Sequence, residues 1–235
     1  MRVLITGGSG FLGRHIAARL LADGQSVRLL GRDFGEVAGL LAAGAEPLRA
    51  DLRDRAAVVE ACRGADAVVH SGALSAPWGP PARFWEVNVG GTESVVAGCL
   101  RHGAGRLVLI SSPSVIFSGR DHVAATEAAP YPRRFSSAYA RSKAQAEQVV
   151  RAATALPSVI LRPKALFGPG DRSLLPRLVA AARAGRLPQI GAGYNLVDIT
   201  YVENAAHGWP WRSQPRRRPG APTILPTTSM CRCGR

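Results

Sequence analysis

A glycine-rich turn near the N-terminus constrains this chain more than any other feature. An apolar stretch at residues 2–6 leads into Thr6-Gly7-Gly8-Ser9-Gly10-Phe11-Leu12-Gly13, and an apolar-periodic stretch up to Ala22 follows. Glycines at this spacing let a strand turn tightly into a helix and let the backbone approach a pyrophosphate closely. The free N–H groups of the helix N-terminus then face the anion. The pattern predicts a dinucleotide-binding turn, with cofactor contacts at Gly7, Gly10, Phe11, Leu12 and Gly13.

Strand-like and helix-like stretches alternate as far as about residue 161. Short apolar stretches predict strands at 2–6, 26–30, 46–49, 67–70, 106–110 and 158–161. Helices are predicted between them at 11–22, around Leu40, at 54–62, within 81–102 and at 136–155. Several of the strands are apolar on both faces, which is typical of a parallel sheet covered by helices on both sides. The expected fold class is therefore α/β, a doubly wound parallel sheet of the Rossmann type.

Composition excludes several classes of protein. Of the 235 residues, 46% are hydrophobic and 20% charged, so the chain is not intrinsically disordered. No apolar run approaches the roughly 18 residues that a transmembrane helix needs. The N-terminus lacks the anatomy of a signal peptide and the four cysteines do not suit a disulfide scaffold, so we expect a cytoplasmic protein. Cys231 and Cys233 alone cannot complete a zinc site, so no metal is expected.

The chain is strongly basic, with 30 basic and 16 acidic residues and a net charge of +14. Only Lys143 and Lys164 among the basic residues are lysines. A basic balance can mark a nucleic-acid partner. No basic stripe interleaved with aromatic residues and no known nucleic-acid motif accompanies the charge, so we expect no nucleic-acid partner.

The end of the second predicted strand bears on the choice of cofactor. Folds that bind NAD place an acidic residue there, whereas this chain has Gly31 followed by Arg32. An arginine fork can clamp a 2′-phosphate, so Arg32 favours NADP, with NAD as the alternative. Asp33 argues for NAD if it turns inward, and Arg32 could instead be an ordinary surface arginine. Asp51 and Leu52 follow the third strand, where an acid can bind the adenine amino group or simply cap a helix.

Three side chains have the residue types and spacing of a proton-transfer site. Tyr139 and Lys143 lie four residues apart on a predicted helix, so they share one face. A phenol titrates near 10, and a nearby ammonium is expected to lower that pKa so that the tyrosine can exchange a proton near neutral pH. Ser112 follows the fifth strand, at the sheet edge where ligands bind, and can bond the substrate oxygen. The alternative for Ser112 is an ordinary serine-rich turn.

Together these motifs resemble the extended short-chain dehydrogenase/reductases, the NAD-dependent epimerase/dehydratase superfamily. They run in that family's order at residues 6–13, Val87-Asn88-Val89-Gly90-Gly91-Thr92, Ser111-Ser112-x-x-Val115, Tyr139-x-x-x-Lys143, Arg162-Pro163, 168–171 and 201–206. Residues 77–79, 111–117 and 161–177 are more similar to the 3β-hydroxysteroid dehydrogenase/isomerase branch, and particularly to bacterial 2-alkyl-3-oxoalkanoate reductases.

The resemblance implies an NAD(P)-dependent oxidoreductase that interconverts a secondary alcohol and a ketone on a hydrophobic substrate, a hydroxysteroid, a sterol or a 2-alkyl-3-oxoacid. Tyr139 would act as the general acid/base, and Lys143 would bind the nicotinamide ribose and lower the pKa of Tyr139. Ser112 would polarise the substrate oxygen, and Pro163 would contact the cofactor. Members of the family often dimerise through two long helices, here near residues 84–102 and 136–155, so a homodimer is one expected partner.

Two alternatives stay open. A sugar-nucleotide epimerase or dehydratase would bind a diphosphate through basic residues such as Arg177 and Arg183, which otherwise belong to a solvated helix face. A regulatory dinucleotide-binding protein without turnover is the second alternative, since the end of the chain departs from the family's pattern.

The expected organisation is a dinucleotide-binding domain at 1–160, a partial substrate-binding region at 161–208 and an aberrant, disordered tail at 209–235. The tail is rich in proline and arginine, and neither a helix nor a strand is predicted in it. Read one base out of frame, the tail can encode an apolar helix and a tyrosine-bearing strand, similar to the family's own continuation. We therefore expect residues 209–235 to be translated out of frame and the substrate domain to be incomplete, which puts the activity of this chain in doubt.

Overall fold

The computed structural model describes residues 1–120, 125–126, 128–187, 189, 197–207 and 223–225. Nine strands occur in this part of the chain: β1 (Arg2–Thr6), β2 (Ser26–Gly31), β3 (Glu46–Arg49), β4 (Ala67–His70), β5 (Leu107–Ile110), β6 (Ser158–Leu161), β7 (Ala165–Phe167), β8 (Ile199–Tyr201) and β9 (Thr223–Leu225). Seven of them form one parallel sheet in the order β3-β2-β1-β4-β5-β6-β9, and β7 pairs with β8 in a second, two-stranded sheet.

The helices of the described residues are α1 (Phe11–Ala22), α2 (Ala38–Ala42), α3 (Arg55–Ala61), α4 (Pro81–Phe84), α5 (Gly91–His102), α6 (Ala138–Ala152), α7 (Leu175–Arg183) and α8 (Val202–His207). A π-helical turn at Trp85–Gly90 joins α4 to α5, and 3-10 turns occupy Gly35–Val37 and Pro113–Ile116. Gly24 follows α1 with a φ of 71°, the left-handed conformation that favours glycine after a helix. None of these helices combines the length and apolar character needed to cross a bilayer.

The prediction of a doubly wound parallel sheet is confirmed. The six predicted strands appear within one residue of their expected bounds, since each is a short apolar run between turn residues. The strand order reverses between β1 and β4, which are neighbours in the sheet. In such a sheet, ligands bind in the crevice beyond the carboxyl ends of the strands at this reversal. That edge carries the turn after β1 and the segments that follow β4 and β5.

The sheet separates two apolar cores, and this explains why its strands are apolar on both faces. Val3 and Ile5 of β1 belong to one core with α1, while Leu4 between them belongs to the other core with α3 and α5. All three side chains are fully buried. Alternate residues of one strand therefore support helices on opposite sides of the sheet, as the period of a strand requires.

Two elements beyond residue 161 join the main fold. Helix α8 packs against α1, and its Val202, Ala205 and Ala206 are buried in the α1 core. Strand β9 adds to the edge of the sheet beside β6. The sequence predicts no strand after residue 208. The structure differs because Thr-Ile-Leu is a short run of strand-favouring residues, bounded on each side by proline.

The remainder of the expected tail, residues 209–222 and 226–235, lies outside the described residues, and so do Cys231 and Cys233. The reading-frame hypothesis and the boundaries proposed for the three regions therefore stay predictions.

Candidate active site

The glycine turn after β1 is packed so closely that two of its positions exclude a side chain. A Cβ atom on Gly13 would overlap the carbonyl oxygen of Gly7, so only glycine lets α1 approach the turn. A Cβ atom on Gly7, whose φ is 65°, would lie 2.6 Å from the Cα of Gly72 after β4. The turn itself is held by the Gly7 amide, which donates to the Leu30 carbonyl at 2.8 Å, and by the Gly10 amide, which donates to Gly7 at 2.9 Å.

The N-terminus of α1 is open to an anion. Gly10 precedes the helix in an extended conformation, and among the described residues no side chain caps it. The first turn of α1 contains no acidic residue. Phe11 is partly exposed, while Leu12 and Gly13 are buried against the sheet. Close backbone packing and an uncapped, acid-free helix end fit the pyrophosphate of a dinucleotide.

Leu52 lies beside the glycine turn, at the carboxyl ends of the strands. Its side chain packs against Gly72 and Gly91, at positions where added Cβ atoms would lie 2.9 and 3.1 Å from it. Because Gly72 in turn touches Gly7, the structure brings Leu52 to the glycine turn, and the expected contact of Leu52 with a cofactor stays a prediction.

Arg32 and Asp51 lie side by side at the ends of β2 and β3. The Arg32 side chain is 80% exposed, and its Nη1 lies 3.9 Å from Asp51 Oδ2. Arg53 binds the same carboxylate through Nε at 3.0 Å and Nη2 at 2.9 Å, which lowers the pKa of Asp51 to about 2. Asp33 accepts the Gly35 amide at 3.0 Å and so turns into its own loop rather than inward. Among the described residues, Arg32 is therefore one of three exposed cations at this edge, with Arg49 and Arg53, and it lies beside the ion pair of Asp51 and Arg53.

Tyr139 and Lys143 project from the first two turns of α6. The Ser137 hydroxyl caps this helix by accepting the Ala140 amide at 3.1 Å. Lys143 is buried, and its Nζ donates to the carbonyl oxygen of Ile110 at the end of β5 at 2.6 Å. Ser112 lies two residues beyond Ile110, and its hydroxyl is near enough to Tyr139 to lower the pKa of that phenol. The structure thus brings the three predicted catalytic side chains together.

Burial is the largest influence on the pKa values of Tyr139 and Lys143. Burial raises the pKa of Tyr139 above 10, and the nearby hydroxyls of Ser75 and Ser112 only partly oppose this. The pKa of Lys143 is lowered to about 8, first by burial, while the charge of Glu147 opposes the shift. The Lys143 ammonium donates to the Ile110 carbonyl, and the expectation that it lowers the pKa of Tyr139 stays a prediction.

Ser75 is a site residue that the sequence analysis missed. Asn88, in the π-helical turn, accepts the Leu74 amide at 2.7 Å and donates to the Leu74 carbonyl at 3.1 Å. It also donates to Ser142 at 2.9 Å, and Ser142 donates to the Tyr139 carbonyl at 2.8 Å. Asn88 therefore fixes the loop after β4 relative to α6, with Ser75 at Tyr139. The Asn88 motif is visible in the sequence, but its partner in the loop is not.

A buried series of hydrogen bonds next to the glycine turn also could not be predicted from the sequence. Thr92 donates to the Asn88 carbonyl at 2.6 Å, so its oxygen must accept from His70 Nε2 at 3.0 Å. Nδ1 of a neutral His70 is then the acceptor for Thr6, at 2.6 Å, and Thr6 itself accepts the Gly72 amide at 3.2 Å. One neutral tautomer of His70 satisfies every donor and acceptor in this series of hydrogen bonds.

Solved structures with this fold bind dinucleotides. The dTDP-glucose 4,6-dehydratase from Streptomyces venezuelae, solved with NAD and TYD bound, matches with a TM-score of 0.77 and 30% identity, covering 88% of this chain and 70% of that one. The UDP-glucose 4-epimerase of Thermus thermophilus in complex with NAD matches with a TM-score of 0.78 and 28% identity, covering 96% of this chain and 77% of that one.

Relatives by sequence are reductases and dehydrogenases. The chain is 43% identical over 210 residues to a 2-alkyl-3-oxoalkanoate reductase of Stenotrophomonas maltophilia (strain K279a), covering 88% of this chain and 63% of the relative. It is 36% identical over 216 residues to the decarboxylating sterol-4-alpha-carboxylate 3-dehydrogenase of Homo sapiens, covering 88% and 56%. The chain thus spans less than two thirds of the length of these relatives.

The resemblance stated from the motifs is confirmed at the level of the family. The model of the 3-beta hydroxysteroid dehydrogenase/isomerase family matches residues 4–209, which include the glycine turn, Ser112, Tyr139 and Lys143. The chain belongs to the 3-beta hydroxysteroid dehydrogenase/isomerase family.

Proposed function

We propose that this chain is a nicotinamide-dinucleotide-dependent oxidoreductase that interconverts a secondary alcohol and a ketone on a hydrophobic substrate. The observation that carries the proposal is the cluster of Ser112, Tyr139 and Lys143 at the carboxyl ends of the strands, on the same edge as the glycine turn. The names of the relatives support the reaction, and the NAD-bound structures of the same fold support the cofactor.

In the proposed mechanism the chain orients the substrate oxygen and moves one proton. A bound nicotinamide dinucleotide supplies the hydride in reduction and accepts it in oxidation. The Ser114 amide and hydroxyl both donate to Ser112, at 3.2 and 2.9 Å, which leaves the Ser112 hydrogen free for an oxygen beside Tyr139. Tyr139 gives its hydroxyl proton to the substrate oxygen during reduction. The buried charge of Lys143 then stabilises the resulting phenolate.

The proposed substrate is apolar, of the 3-oxoacid or sterol type named for the relatives. Trp78, in the loop that carries Ser75, is 87% exposed and offers an apolar surface to such a ligand. Phe84 is buried, and its ring supports Tyr139 at a centroid distance of 6.4 Å.

Replacement of Tyr139 tests the proposed reaction. In Tyr139→Phe we expect turnover of a 2-alkyl-3-oxoacid or hydroxysteroid to fall by about 10²–10⁴-fold, because the proton donor is gone. The dissociation constant of NADPH, measured by fluorescence titration, stays within about twofold, since the glycine turn is untouched. An unchanged rate would overturn the assignment of Tyr139. A chain that binds the dinucleotide but turns over none of these substrates would favour the alternative of a binding protein.

Arg32 tests the proposed preference for NADP. In Arg32→Ser we expect NADPH to bind about tenfold more weakly while NADH affinity is unchanged, because the proposed partner of Arg32 is the 2′-phosphate, which NADH lacks. Arg101→Ser, at an exposed arginine in the last turn of α5, is the control and leaves both affinities unchanged. Equal losses for NADPH and NADH in Arg32→Ser would count against the preference.

A sugar-nucleotide epimerase or dehydratase is the second candidate, because the matching solved structures include enzymes of that type. Arg177 and Arg183, both exposed on α7, would bind the diphosphate. Saturable binding of UDP that is lost in Arg177→Ser would favour this candidate. A cytoplasmic location and a homodimer remain expectations from the sequence.

A further inference from the structure

The turn that follows β5 controls the hydrogen bonding of Ser112. Ser112 precedes the 3-10 turn at Pro113–Ile116 in an extended conformation, and its side chain accepts the Ser114 amide at 3.2 Å. The Ser114 hydroxyl donates to the same oxygen at 2.9 Å. A hydroxyl oxygen has two lone pairs and one hydrogen. Ser114 therefore fills both acceptor positions of Ser112 and leaves it only its hydrogen to offer.

Packing holds Ser114 in this place. Val115 and Ile116 of the same turn are buried, and they form a small apolar cluster with Ala144 of α6. Pro113, at the first position of the turn, fixes its own φ and has no amide hydrogen that could compete for the serine oxygen. The position of Ser114 is therefore set by a turn that is anchored on the helix of the candidate catalytic pair.

A Ser112 hydroxyl that cannot accept a hydrogen bond distinguishes a ketone from an alcohol. Tyr139 carries its proton near neutral pH, because burial raises its pKa above 10. A ketone oxygen accepts from both Ser112 and Tyr139, so both hydrogens are used. An alcohol brings a third hydrogen, and Ser112 has no lone pair left to receive it. One of the three hydroxyl hydrogens then has no acceptor within the group, which disfavours the bound alcohol.

We propose that Ser114 is a positioning residue that makes Ser112 a donor only, so that the site binds the ketone in preference to the corresponding alcohol. This rests on the proposed function, because it places the substrate oxygen between Ser112 and Tyr139. The preference concerns the oxidation state of the substrate and not its carbon skeleton. Without the Ser114 hydroxyl, Ser112 keeps its bond to the Ser114 amide but gains a free lone pair. That lone pair accepts from a bound alcohol or, in the ligand-free site, from Tyr139.

Complexes that cannot react measure this preference without turnover. The ketone is a 2-alkyl-3-oxoacid bound together with NADP⁺, and the alcohol is the corresponding 3-hydroxyacid bound together with NADPH, so no hydride can be exchanged in either complex. Calorimetric dissociation constants at neutral pH give the ratio of the two affinities. In Ser114→Ala we expect the ketone to bind about threefold more weakly and the alcohol about threefold more tightly, which changes the ratio by about tenfold.

Three further variants separate this effect from a general loss of packing. Ser114→Thr keeps the hydroxyl, and the ratio of affinities stays within about twofold of that of the unmodified chain. Ser173→Ala is the matched control, because the Ser173 amide and hydroxyl donate to Asp171, two residues earlier, at 2.7 and 2.9 Å in the same pattern. It leaves both affinities unchanged. Ser114→Gly removes the same hydroxyl and replaces Ser114→Ala if that variant does not fold.

Action through Ser112 is tested in the Ser112→Ala background. There the Ser114 hydroxyl has lost its partner, so adding Ser114→Ala leaves the ratio of affinities unchanged. An unchanged ratio in Ser114→Ala alone, or the same change with and without Ser112, would overturn the role of Ser114 and leave the proposed function intact. Turnover that survives Tyr139→Phe, or failure of the unmodified chain to bind either ligand, would defeat the proposed function and this proposal with it.

Discussion

Gly13 is the position in the turn where a single methyl group has the clearest consequence. A Cβ atom there would overlap the Gly7 carbonyl, which is backbone and cannot move aside as a flexible side chain would. We expect Gly13→Ala to lower the free energy of unfolding by about 1–3 kcal/mol and NADPH affinity by about tenfold or more. Gly39→Ala on α2, where a Cβ meets open space, is the matched control and gains about 0.5–1 kcal/mol. Urea unfolding and fluorescence titration check both, and similar effects from the two variants would contradict the packing argument.

Which residues of the site could be predicted depends on how far apart in sequence their partners lie. Tyr139 and Lys143 are one helical turn apart, so their shared face follows from spacing alone. His70 and Thr6 are 64 residues apart, and the hydrogen bond between them exists only once β1 and β4 pair. Glu147 shares the face of Lys143, so its place was open to inference from the same spacing, but its ion pair with Arg162 required the fold.

Helix α6 sets the position of the catalytic pair, and Ser137 determines where that helix begins. Loss of an N-cap hydrogen bond costs about 1 kcal/mol. Ser137→Ala and Asp54→Ala each remove one such bond, from α6 and from α3 respectively. We expect similar losses of stability from the two variants. Only Ser137→Ala should lower kcat, by several-fold, because Tyr139 lies in the first turn of α6. We expect Ser137→Asp to keep both the stability and the kcat of the unmodified chain. Equal effects of Ser137→Ala and Asp54→Ala on kcat would count against a role of the Ser137 cap in positioning Tyr139.

At the scale of elements, the sequence predicts what local pattern determines. The strands and α1 appear where apolar periodicity and glycine place them. The π-helical turn was predicted only as ordinary helix, because its geometry is tied to the contacts that Asn88 makes with Leu74 and Ser142. Helix α8 was not predicted. It is short, and it is stabilised by packing on α1, which lies nearly 200 residues earlier in the sequence. A local sequence pattern cannot predict such a contact.

For the molecule as a whole, the buried series of hydrogen bonds through His70 makes stability depend on pH. Burial, and to a smaller degree the charge of Lys143, lower the pKa of His70 to about 3, against 6.5 in an unfolded chain. Between about pH 3 and pH 6.5, His70 therefore binds a proton in the unfolded state but not in the folded state. The stability that comes from the neutral His70 is fully present above pH 6.5 and is lost progressively as the pH falls. No more of it is lost below about pH 3. The carboxylates Asp51 and Glu147, whose pKa values are lowered, act only at more acidic pH.

We therefore expect the free energy of unfolding to decrease by about 2 kcal/mol between pH 6.5 and pH 5, close to the limit of about 1.4 kcal/mol per unit for one proton. Urea unfolding at several pH values measures the slope. His70→Asn keeps a polar side chain between Thr6 and Thr92 without a titrating ring, so the variant is less stable at neutral pH but its slope is shallower. His15→Asn, at a partly exposed histidine on α1, retains the slope of the unmodified chain. If His70→Asn kept that slope as well, the acid sensitivity would have to arise elsewhere, and the neutral tautomer fixed by Thr6 and Thr92 would not govern it.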